Sequence, residues 1–195
     1  GSRAPLTAQQ SVRMVTVLRR EDIAAAPVQS VNDLLKYAIG ADVRQRGPIG
    51  AQSDVGMRGG NYEQVAILLN GINICDPQTG HNSFDFPVDL SEIERIEVLE
   101  GPAGRVYGTS SLLGAINVIT RIPDRSSATA HAEGGSYGYA SGGLCANIVS
   151  GKWRNQFSGS YARSDGYSRN KAGTLNADYR GTKAFYQGNY RDGDL

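Results

Sequence analysis

The sequence has 195 residues and a formal net charge of +1, from 20 lysines and arginines and 19 aspartates and glutamates. Its 25 glycines and 7 prolines exclude a helical bundle and favour strands, turns and loops. The near-neutral charge argues against a dedicated nucleic-acid-binding protein, which would carry a basic patch. The sequence contains neither an apolar run of about 18 residues, as a transmembrane helix needs, nor the pattern of a signal peptide.

The chain divides into two stretches of different composition. Residues 1–124 contain 11 basic and 14 acidic residues, whereas residues 125–195 contain 9 and 5. The second stretch also holds seven of the ten tyrosines and the only tryptophan. We therefore predict an N-terminal tail or linker over residues 1–10, a globular domain over 11–123 and a strand-rich region over 124–195.

Helix and strand signals open the first domain. The alternation in Ser11–Leu18 predicts a strand. A short helix over Glu21–Ala26 should end before Pro27, because the residue preceding a proline avoids helical angles. Ser30 is placed to cap a second helix, which Gly40 would end.

Short strands separated by glycines follow, at Ala41–Gln45, Asp54–Met57 and Val65–Leu69. Asn70-Gly71 predicts a two-residue hairpin turn, because both residues tolerate the positive φ that a type I′ turn requires. The polar segment Asp76–Asp89 predicts a long loop, and such loops tend to be functional.

The last part of the domain combines a helical turn with strands. Ser91–Leu99 predicts a helical turn that leads into a strand. The glycine-punctuated segment Gly101–Gly108 predicts sharp turns. Leu113–Thr120 is nearly all apolar, as in a strand buried on both faces.

Period-2 alternation marks the second region. Along Lys152–Arg163, Trp153, Phe157 and Tyr161 share one face. Thr174–Arg180 also alternates, with Tyr179 on its apolar face, and so does Lys183–Arg191, with Tyr186 and Tyr190 on its apolar face. Ser127–Gly135 and Tyr137–Ser150 complete about four strands. Alternation suits a membrane barrel and a soluble β-sandwich equally well.

Known catalytic and metal-binding patterns do not occur. Gly101–Gly108 lacks the lysine of a phosphate-binding loop, and no serine stands in a nucleophile elbow. The two histidines come without a Cys-x-x-Cys pair, and Asp76, Asp85 and Asp89 lack the spacing of a calcium loop. We predict no enzyme activity, no cofactor and no metal, and we expect Cys75 and Cys145 to be reduced or far apart.

Five segments in a fixed order resemble the plug domain of TonB-dependent outer-membrane receptors. The resemblance covers about residues 11–122. Within this family, the sequence is similar to receptors of the Bacteroidetes type, including those like the cobalamin receptor BtuB. The segments are Asp54–Gly60 (DVGMRGG), Val65–Gly71 (VAILLNG), Ile93–Pro102 (IERIEVLEGP), Val106–Gly108 (VYG) and Gly114–Thr120 (GAINVIT).

The resemblance implies an α+β plug, a small mixed sheet with short helices and long loops, followed by antiparallel hairpins of a truncated transmembrane barrel. Relatives have 22 strands by this resemblance, so we expect the chain to be a fragment. Several family-motif residues would serve structure, at sharp turns or as charges facing the barrel wall or in surface ion pairs: Arg58, Gly59, Gly71, Glu94, Arg95, Glu97, Glu100, Gly101, Pro102, Tyr107 and Gly108.

The implied function is import of a scarce nutrient, cobalamin or a ferric siderophore, across the outer membrane of a Gram-negative bacterium, with the plug gating the barrel lumen. Implied partners are membrane lipid, the nutrient and a TonB-type protein, whose N-terminal box we expect upstream of residue 11. Ligand contacts would lie in the apical loops, at Arg46, Pro48, Gln52, Asp76, Gln78, Thr79, His81, Asn82 and Phe84. The alternative is a soluble β-rich module that binds carbohydrate or protein.

Overall fold

The fold is known from a computed structural model that describes residues 15–28, 30–37, 41–45, 53–57, 64–75, 86–101, 113–166 and 178–192. The described residues form two compact units, one ending at Arg121 and the other beginning at Ile122. Within the described residues, no helix has the length and apolar composition needed to cross a membrane.

The described residues of the first unit form short helices and seven strands. The helices are α1 (Arg20–Ala25) and α2 (Val31–Leu35), and a 3-10 turn covers Leu90–Glu92. The strands are β1 (Val15–Arg19), β2 (Ala41–Gln45), β3 (Ser53–Met57), β4 (Val65–Leu69), β5 (Ile72–Asn73), β6 (Ile93–Glu100) and β7 (Gly114–Thr120).

Five of these strands form a mixed sheet in the order β1-β6-β7-β4-β5. Only β4 and β7 run parallel, with Ile67 opposite Ile116. The other neighbours are antiparallel, and β2 pairs with β3 in a separate antiparallel ribbon. The predicted small mixed sheet with short helices is therefore confirmed.

The core of the first unit lies on the central strands. Every side chain of β4 is buried, and so are Ile96 and Val98 of β6 and Ile116 and Val118 of β7. One face of β7 is buried along its length, at Gly114, Ile116, Val118 and Thr120, whereas Asn117 and Ile119 on the other face are only half-buried. The prediction that this strand is buried on both faces is therefore confirmed for one face only. Helix residues Ile23, Leu34 and Leu35 are also buried.

Local sequence signals explain where the helices begin and end. The Ser30 hydroxyl accepts a hydrogen bond from the Asp33 backbone N–H at 3.1 Å, as expected for a helix N-cap. The prediction that Gly40 ends this helix is wrong. The helix ends at Leu35. The backbone N–H groups of Lys36 and Tyr37 donate to the carbonyls of Asp33 and Leu34, three residues earlier, and these shorter-range hydrogen bonds close the last turn.

The predicted loop Asp76–Asp89 ends inside the core. Phe86 and Val88 are fully buried, whereas the preceding residues 76–85 lie outside the described part of the chain. Because the segment is mostly polar, its sequence did not predict the burial of these two residues. The end of the loop is thus fixed by apolar burial, which stabilises a side chain by about 1.5–3 kcal/mol.

The second unit is an antiparallel meander of four strands in the order β11-β10-β9-β8. Its strands are β8 (Ser127–Gly134), β9 (Ala140–Ser150), β10 (Trp153–Ser164) and β11 (Tyr179–Tyr190). The two-residue turn Gly151-Lys152 joins β9 to β10. The predicted antiparallel hairpins are confirmed, although β9 begins at Ala140 rather than Tyr137, which lies in the preceding turn at φ +59°.

Two predicted segments form a single strand. The register between β10 and β11 is continuous from Tyr179 to Tyr190, so the division between Thr174–Arg180 and Lys183–Arg191 is wrong. Residues 174–177 lie outside the described part of the chain. Because side chains alternate along an unbroken strand, Tyr179 faces opposite to Tyr186 and Tyr190.

Candidate functional site

The residues predicted to contact a ligand are not among those that the structure describes. This applies to all nine of them: Arg46, Pro48, Gln52, Asp76, Gln78, Thr79, His81, Asn82 and Phe84. Of the motif residues, Arg58, Gly59, Pro102, Tyr107 and Gly108 also lie outside the described ranges. The described part of the candidate site therefore consists of the other motif residues and the four-stranded sheet.

The Asn70-Gly71 turn is bound tightly to β7. Asn70 and Gly71 have φ of +52° and +82°, which confirms the predicted turn with two positive φ values. The Asn70 side-chain oxygen accepts from the Thr120 backbone N–H at 2.9 Å, and its amide nitrogen donates to the Thr120 hydroxyl at 2.9 Å. Asn117 accepts from the Gly71 N–H at 3.0 Å. We call these four residues the turn clasp.

Sequence reasoning missed half of the turn clasp. It identified Asn70 and Gly71 from local turn chemistry, but Asn117 and Thr120 lie about 50 residues further along the chain. The parallel pairing of β4 with β7 brings them next to the turn. The only sequence signal was that two polar residues, Asn117 and Thr120, interrupt the otherwise apolar strand β7.

The charged motif residues of β6 have different environments. Arg95 Nε donates to Glu97 Oε1 at 2.8 Å, and Glu94 Oε2 lies 3.8 Å from Arg121 Nε. These two pairs are partly exposed, so each contributes little to stability. Glu100 is instead buried. Arg95 and Glu97 thus form the surface ion pair that was one of the two predicted roles.

Arg20 ties α1 to the start of β6. Its guanidinium donates from Nη1 to the carbonyls of Leu90 and Ile93, at 2.9 and 3.2 Å. Burial, and to a smaller extent the charge of Arg121, lowers the pKa of Arg20, while Glu94 acts in the opposite direction. Since arginine stays protonated in proteins, this group is a permanent cationic donor.

Gly101 marks a required backbone conformation at the end of β6. Its φ is +94°, which is strained for any residue with a Cβ. Its N–H donates to the Leu113 carbonyl at 2.8 Å, which joins the end of β6 to the residue before β7. This supports the prediction of a sharp turn at the motif Gly101-Pro102.

The second unit presents two chemically different faces. One, the polar face, carries a row of side chains that crosses all four strands: Ser127, Asn147, Gln156 and Gln187. Gln187 donates to Gln156 at 2.7 Å, and Asn147 donates to Ser127 at 3.0 Å. Cys145 lies beside this row and accepts from Gln156 at 3.5 Å.

The opposite face, here called the apolar face, exposes large hydrophobic side chains. Trp153 packs edge-on against Tyr190 at a ring-centroid distance of 5.1 Å, and Phe157 packs against Tyr186 at 4.7 Å. All four rings remain about half exposed. The other members of this face are Ala128, Ala130, Ala132, Leu144, Ile148 and Tyr161.

Sequence reasoning identified the apolar face on β10 and β11 but not on β8 and β9. Ala128, Ala130 and Ala132 alternate with Thr129 and His131, and this was the missed signal because alanine is a weak marker of hydrophobicity. Leu144 and Ile148 are exposed on the same face. An exposed apolar surface of this extent indicates contact with a partner or a membrane.

No group of three His, Cys, Asp or Glu side chains in the described ranges lies close enough together to hold a metal ion. Cys75 and Cys145 are both reduced. Cys75 Sγ accepts a hydrogen bond from the Ile67 N–H at 3.2 Å, so this sulfur is bound to the backbone of β4.

Comparison with protein families shows to which family this chain belongs. A model of the TonB-dependent receptor plug domain matches residues 7–115, more than half of the chain. The chain belongs to this family. The predicted α+β plug is thereby confirmed. The family consists of transport receptors that depend on TonB, and this does not favour a soluble binding module.

Similar proteins include a transporter and several receptors. The vitamin B12 transporter BtuB of Vibrio vulnificus (strain CMCP6) is 36% identical over 115 residues, which are 59% of this plug-domain chain and 19% of that protein. The chain therefore spans about a fifth of this curated relative.

Solved structures share the fold. The ferric yersiniabactin uptake receptor FyuA of Yersinia pestis has a TM-score of 0.67 at 20% identity, covering 94% of this chain and 30% of that one. The pyoverdine outer membrane receptor FpvA of Pseudomonas aeruginosa PAO1 has a TM-score of 0.66 at 21% identity, covering 82% and 23%. The ferric-catecholate import receptor Fiu of E. coli K12 has a TM-score of 0.61 at 27% identity, covering 83% and 23%.

Proposed function

We propose that this chain is the plug and the first barrel strands of a TonB-dependent receptor in the outer membrane of a Gram-negative bacterium. The receptor binds a scarce nutrient outside the cell and imports it, while the plug gates the barrel lumen. The observation that carries this proposal is the plug-family match over residues 7–115. The polar and apolar faces of the second unit support it, because a barrel strand needs one side for lipid and one for the lumen.

The proposed division of labour follows the chain. Residues 11–123 form the plug and residues 124–195 contribute about four strands to the barrel. Four strands are fewer than the roughly eight with which bacterial barrels begin, and β8 and β11 each pair on one side only among the described strands. Further strands of the same receptor would pair with these edges, because unpaired edges favour association.

The proposed nutrient is cobalamin or a ferric siderophore. A vitamin B12 transporter and siderophore receptors are among the similar proteins. The loop residues Gln78, His81 and Phe84 are the proposed contacts, since loops displayed by a rigid scaffold commonly carry binding residues. A TonB-type protein, engaging a box N-terminal to residue 11, would supply the energy for import.

Equilibrium binding to the whole receptor, purified in detergent, tests the nutrient. Cobalamin, a ferric pyoverdine, a ferric catecholate and an oligosaccharide are titrated separately. We expect tight binding of one of the first three and none of the oligosaccharide. Replacing Gln78, His81 or Phe84 by alanine should weaken binding about tenfold or more, the effect of losing one good contact. The matched control Arg125→Ala, at an exposed position of the second unit, should bind as wild type does.

Uptake in cells tests the transport step. A strain that lacks its own receptors for these nutrients and carries this one should grow on the limiting nutrient only when TonB is present. Growth that does not depend on TonB would contradict the proposed energy coupling. Failure to bind any of the three nutrients would contradict the proposed ligand class.

A further inference from the structure

The apolar face ends at a pair of arginines that has no counterpart elsewhere in the described sheet. Arg163 of β10 lies directly opposite Arg180 of β11, and both side chains are exposed. Like charges directly opposite on neighbouring strands repel and destabilise a sheet. No ion pair joins either guanidinium to a carboxylate in the part of the chain that the structure describes.

The surroundings of the pair leave space beside it. The same cross-strand row continues with Ala140 on β9 and Gly134 on β8, so small side chains flank the two guanidinium groups. Asp165 and Asp178 each lie two residues from one of the arginines, and neither forms an ion pair with them in the described ranges. The carboxylate of Asp165 lies against Gly138, and its backbone N–H donates to the Tyr137 carbonyl at 2.8 Å.

The position of the pair matches a membrane interface. Arg163 follows Trp153 by ten residues on β10, which is about 34 Å along a strand. At a tilt of about 45°, that length spans about 24 Å, close to the roughly 25 Å height of the apolar band of outer-membrane barrels. If Trp153 and Tyr190 lie at one interface, Arg163 and Arg180 therefore lie at the other.

The connections indicate which interface this is. At the arginine end, residues 135–139 join β8 to β9 and residues 165–178 join β10 to β11. At the tryptophan end, β9 and β10 are joined by the two-residue turn Gly151-Lys152. Outer-membrane barrels have short periplasmic turns and longer extracellular loops. The arginine end is accordingly the extracellular one.

We infer that Arg163 and Arg180 form a binding site for a phosphate group of the phosphorylated glycolipid of the outer leaflet, lipopolysaccharide. An anion between the two guanidinium groups removes their repulsion, and arginine binds phosphate with two parallel hydrogen bonds. The acyl chains of the same lipid would lie along the apolar face below the pair. This inference rests on the proposed function, since it requires the sheet to lie in the outer membrane.

Binding of defined glycolipids to the delipidated whole receptor in detergent tests the site. The probes are lipopolysaccharide with its phosphates, the same lipid after phosphatase treatment, and inorganic phosphate. We expect the wild-type receptor to prefer the phosphorylated lipid and Arg163→Gln/Arg180→Gln to weaken that binding about tenfold or more, as two cations at a lipid surface would. Arg163→Lys/Arg180→Lys should retain part of the affinity, because the charge remains and the two-pronged geometry is lost.

The matched control removes the same charge at the opposite end of the sheet. Lys152→Gln/Arg191→Gln also deletes two exposed cations, and it should stay within about twofold of wild type because surface charge acts over a Debye length. Equal weakening in this control would overturn the inference, and so would equal binding of the dephosphorylated lipid. Displacement of the lipid by millimolar inorganic phosphate would overturn lipid as the occupant.

Two further readouts separate this inference from the proposed function. Each variant must show the heat-dependent gel mobility of a folded barrel, and Arg163→Lys/Arg180→Lys supplies a folded reference if the glutamine pair fails to fold. The glutamine pair should still bind the nutrient. A receptor that binds nutrient but shows no dependence on the arginine pair contradicts this inference alone, and one that binds glycolipid at the pair but no nutrient contradicts the proposed ligand alone.

Discussion

The two units of this chain place their apolar side chains in opposite ways. In the plug, the aliphatic residues of β4, β6 and β7 except Ile119 are buried, and Ile67, Ile96 and Ile116 have no exposed surface. In the four-stranded sheet, Leu144, Trp153 and Tyr186 are each more than half exposed. The sequence patterns differ as well, because β4 and β7 are nearly all apolar whereas the strands of the second unit alternate.

On the proposed function, this difference reflects the solvent that each surface meets. A strand in water must bury its apolar side chains against other protein, and in the plug every side chain of β4 is buried. A strand whose apolar side meets lipid needs no such cover. Aromatic residues become frequent there because their rings suit the membrane interface, which explains why the tyrosines gather in the second unit.

Truncating the plug core should produce the largest effect. Ile116→Ala removes a fully buried side chain from the central strand and should lower the stability of the sheet by about 2–5 kcal/mol. Native-state hydrogen exchange of the β4, β6 and β7 amides in the receptor measures this loss. The control Ile72→Ala, at a position 70% exposed, should change it by less than about 0.5 kcal/mol. Similar effects at both positions would contradict the assignment of the core.

A charge introduced on the apolar face should show whether this face of the second unit contacts lipid or water. Leu144→Lys places an ammonium group near the middle of that face and should destabilise the receptor in bilayers by about 2–4 kcal/mol. Reversible urea unfolding in lipid vesicles measures it. Thr129→Lys is the control, because this exposed residue belongs to the polar face. If Leu144→Lys is as stable as this control, the apolar face contacts water, which contradicts the proposal that the sheet lies in the membrane.

The turn clasp should contribute less than the core. Asn70→Ala leaves the backbone N–H of the buried Thr120 without its 2.9 Å partner, at a cost of about 1–3 kcal/mol. It also places a Cβ-bearing residue without a local hydrogen bond at φ +52°, which adds about 1–2 kcal/mol. Hydrogen exchange at Asn70–Asn73 and Thr120 reports both contributions.

Asn70→Gly separates these two contributions, because it removes the side chain while relieving the backbone strain. The glycine variant should therefore be more stable than the alanine variant by about 1 kcal/mol. If the two variants are equally stable, strain at the turn does not matter. If neither differs from wild type, the hydrogen bonds to Thr120 contribute nothing measurable.

Local chemistry made much of the fold predictable. The Ser30 cap, the stop before Pro27 and the Asn70-Gly71 turn each depend on a few neighbouring residues, and all three are present. The order of the family segments made the plug predictable as a whole. Since the proposed ligand contacts lie outside the described residues, they remain predictions.

The features that sequence reasoning missed depend on distant partners. Thr120 joins the turn clasp only because β7 runs parallel to β4. Phe86 is buried although its sequence neighbours are polar. The alternation in Thr174–Arg180 predicts Tyr179 on the apolar face, but the ladder to β10 is unbroken and puts Tyr179 on the face opposite to Tyr186. The Arg163–Arg180 pair likewise exists only through strand register.

Removing a surface ion pair should have the smallest effect. Arg95 and Glu97 form their 2.8 Å contact with side chains that are 42% and 32% exposed, so water screens the attraction and Glu97→Gln should cost less than about 1 kcal/mol. Hydrogen exchange of the β6 amides, with Arg95→Gln and the double variant completing a cycle, isolates the pair. A coupling energy well above that limit would mean that the charges of β6 are screened far less than their exposure implies, as they would be if they met another surface in the receptor. In that case the family's charged motif would act through contact with the barrel wall, and the plug would owe part of its stability to its surroundings rather than to its core alone.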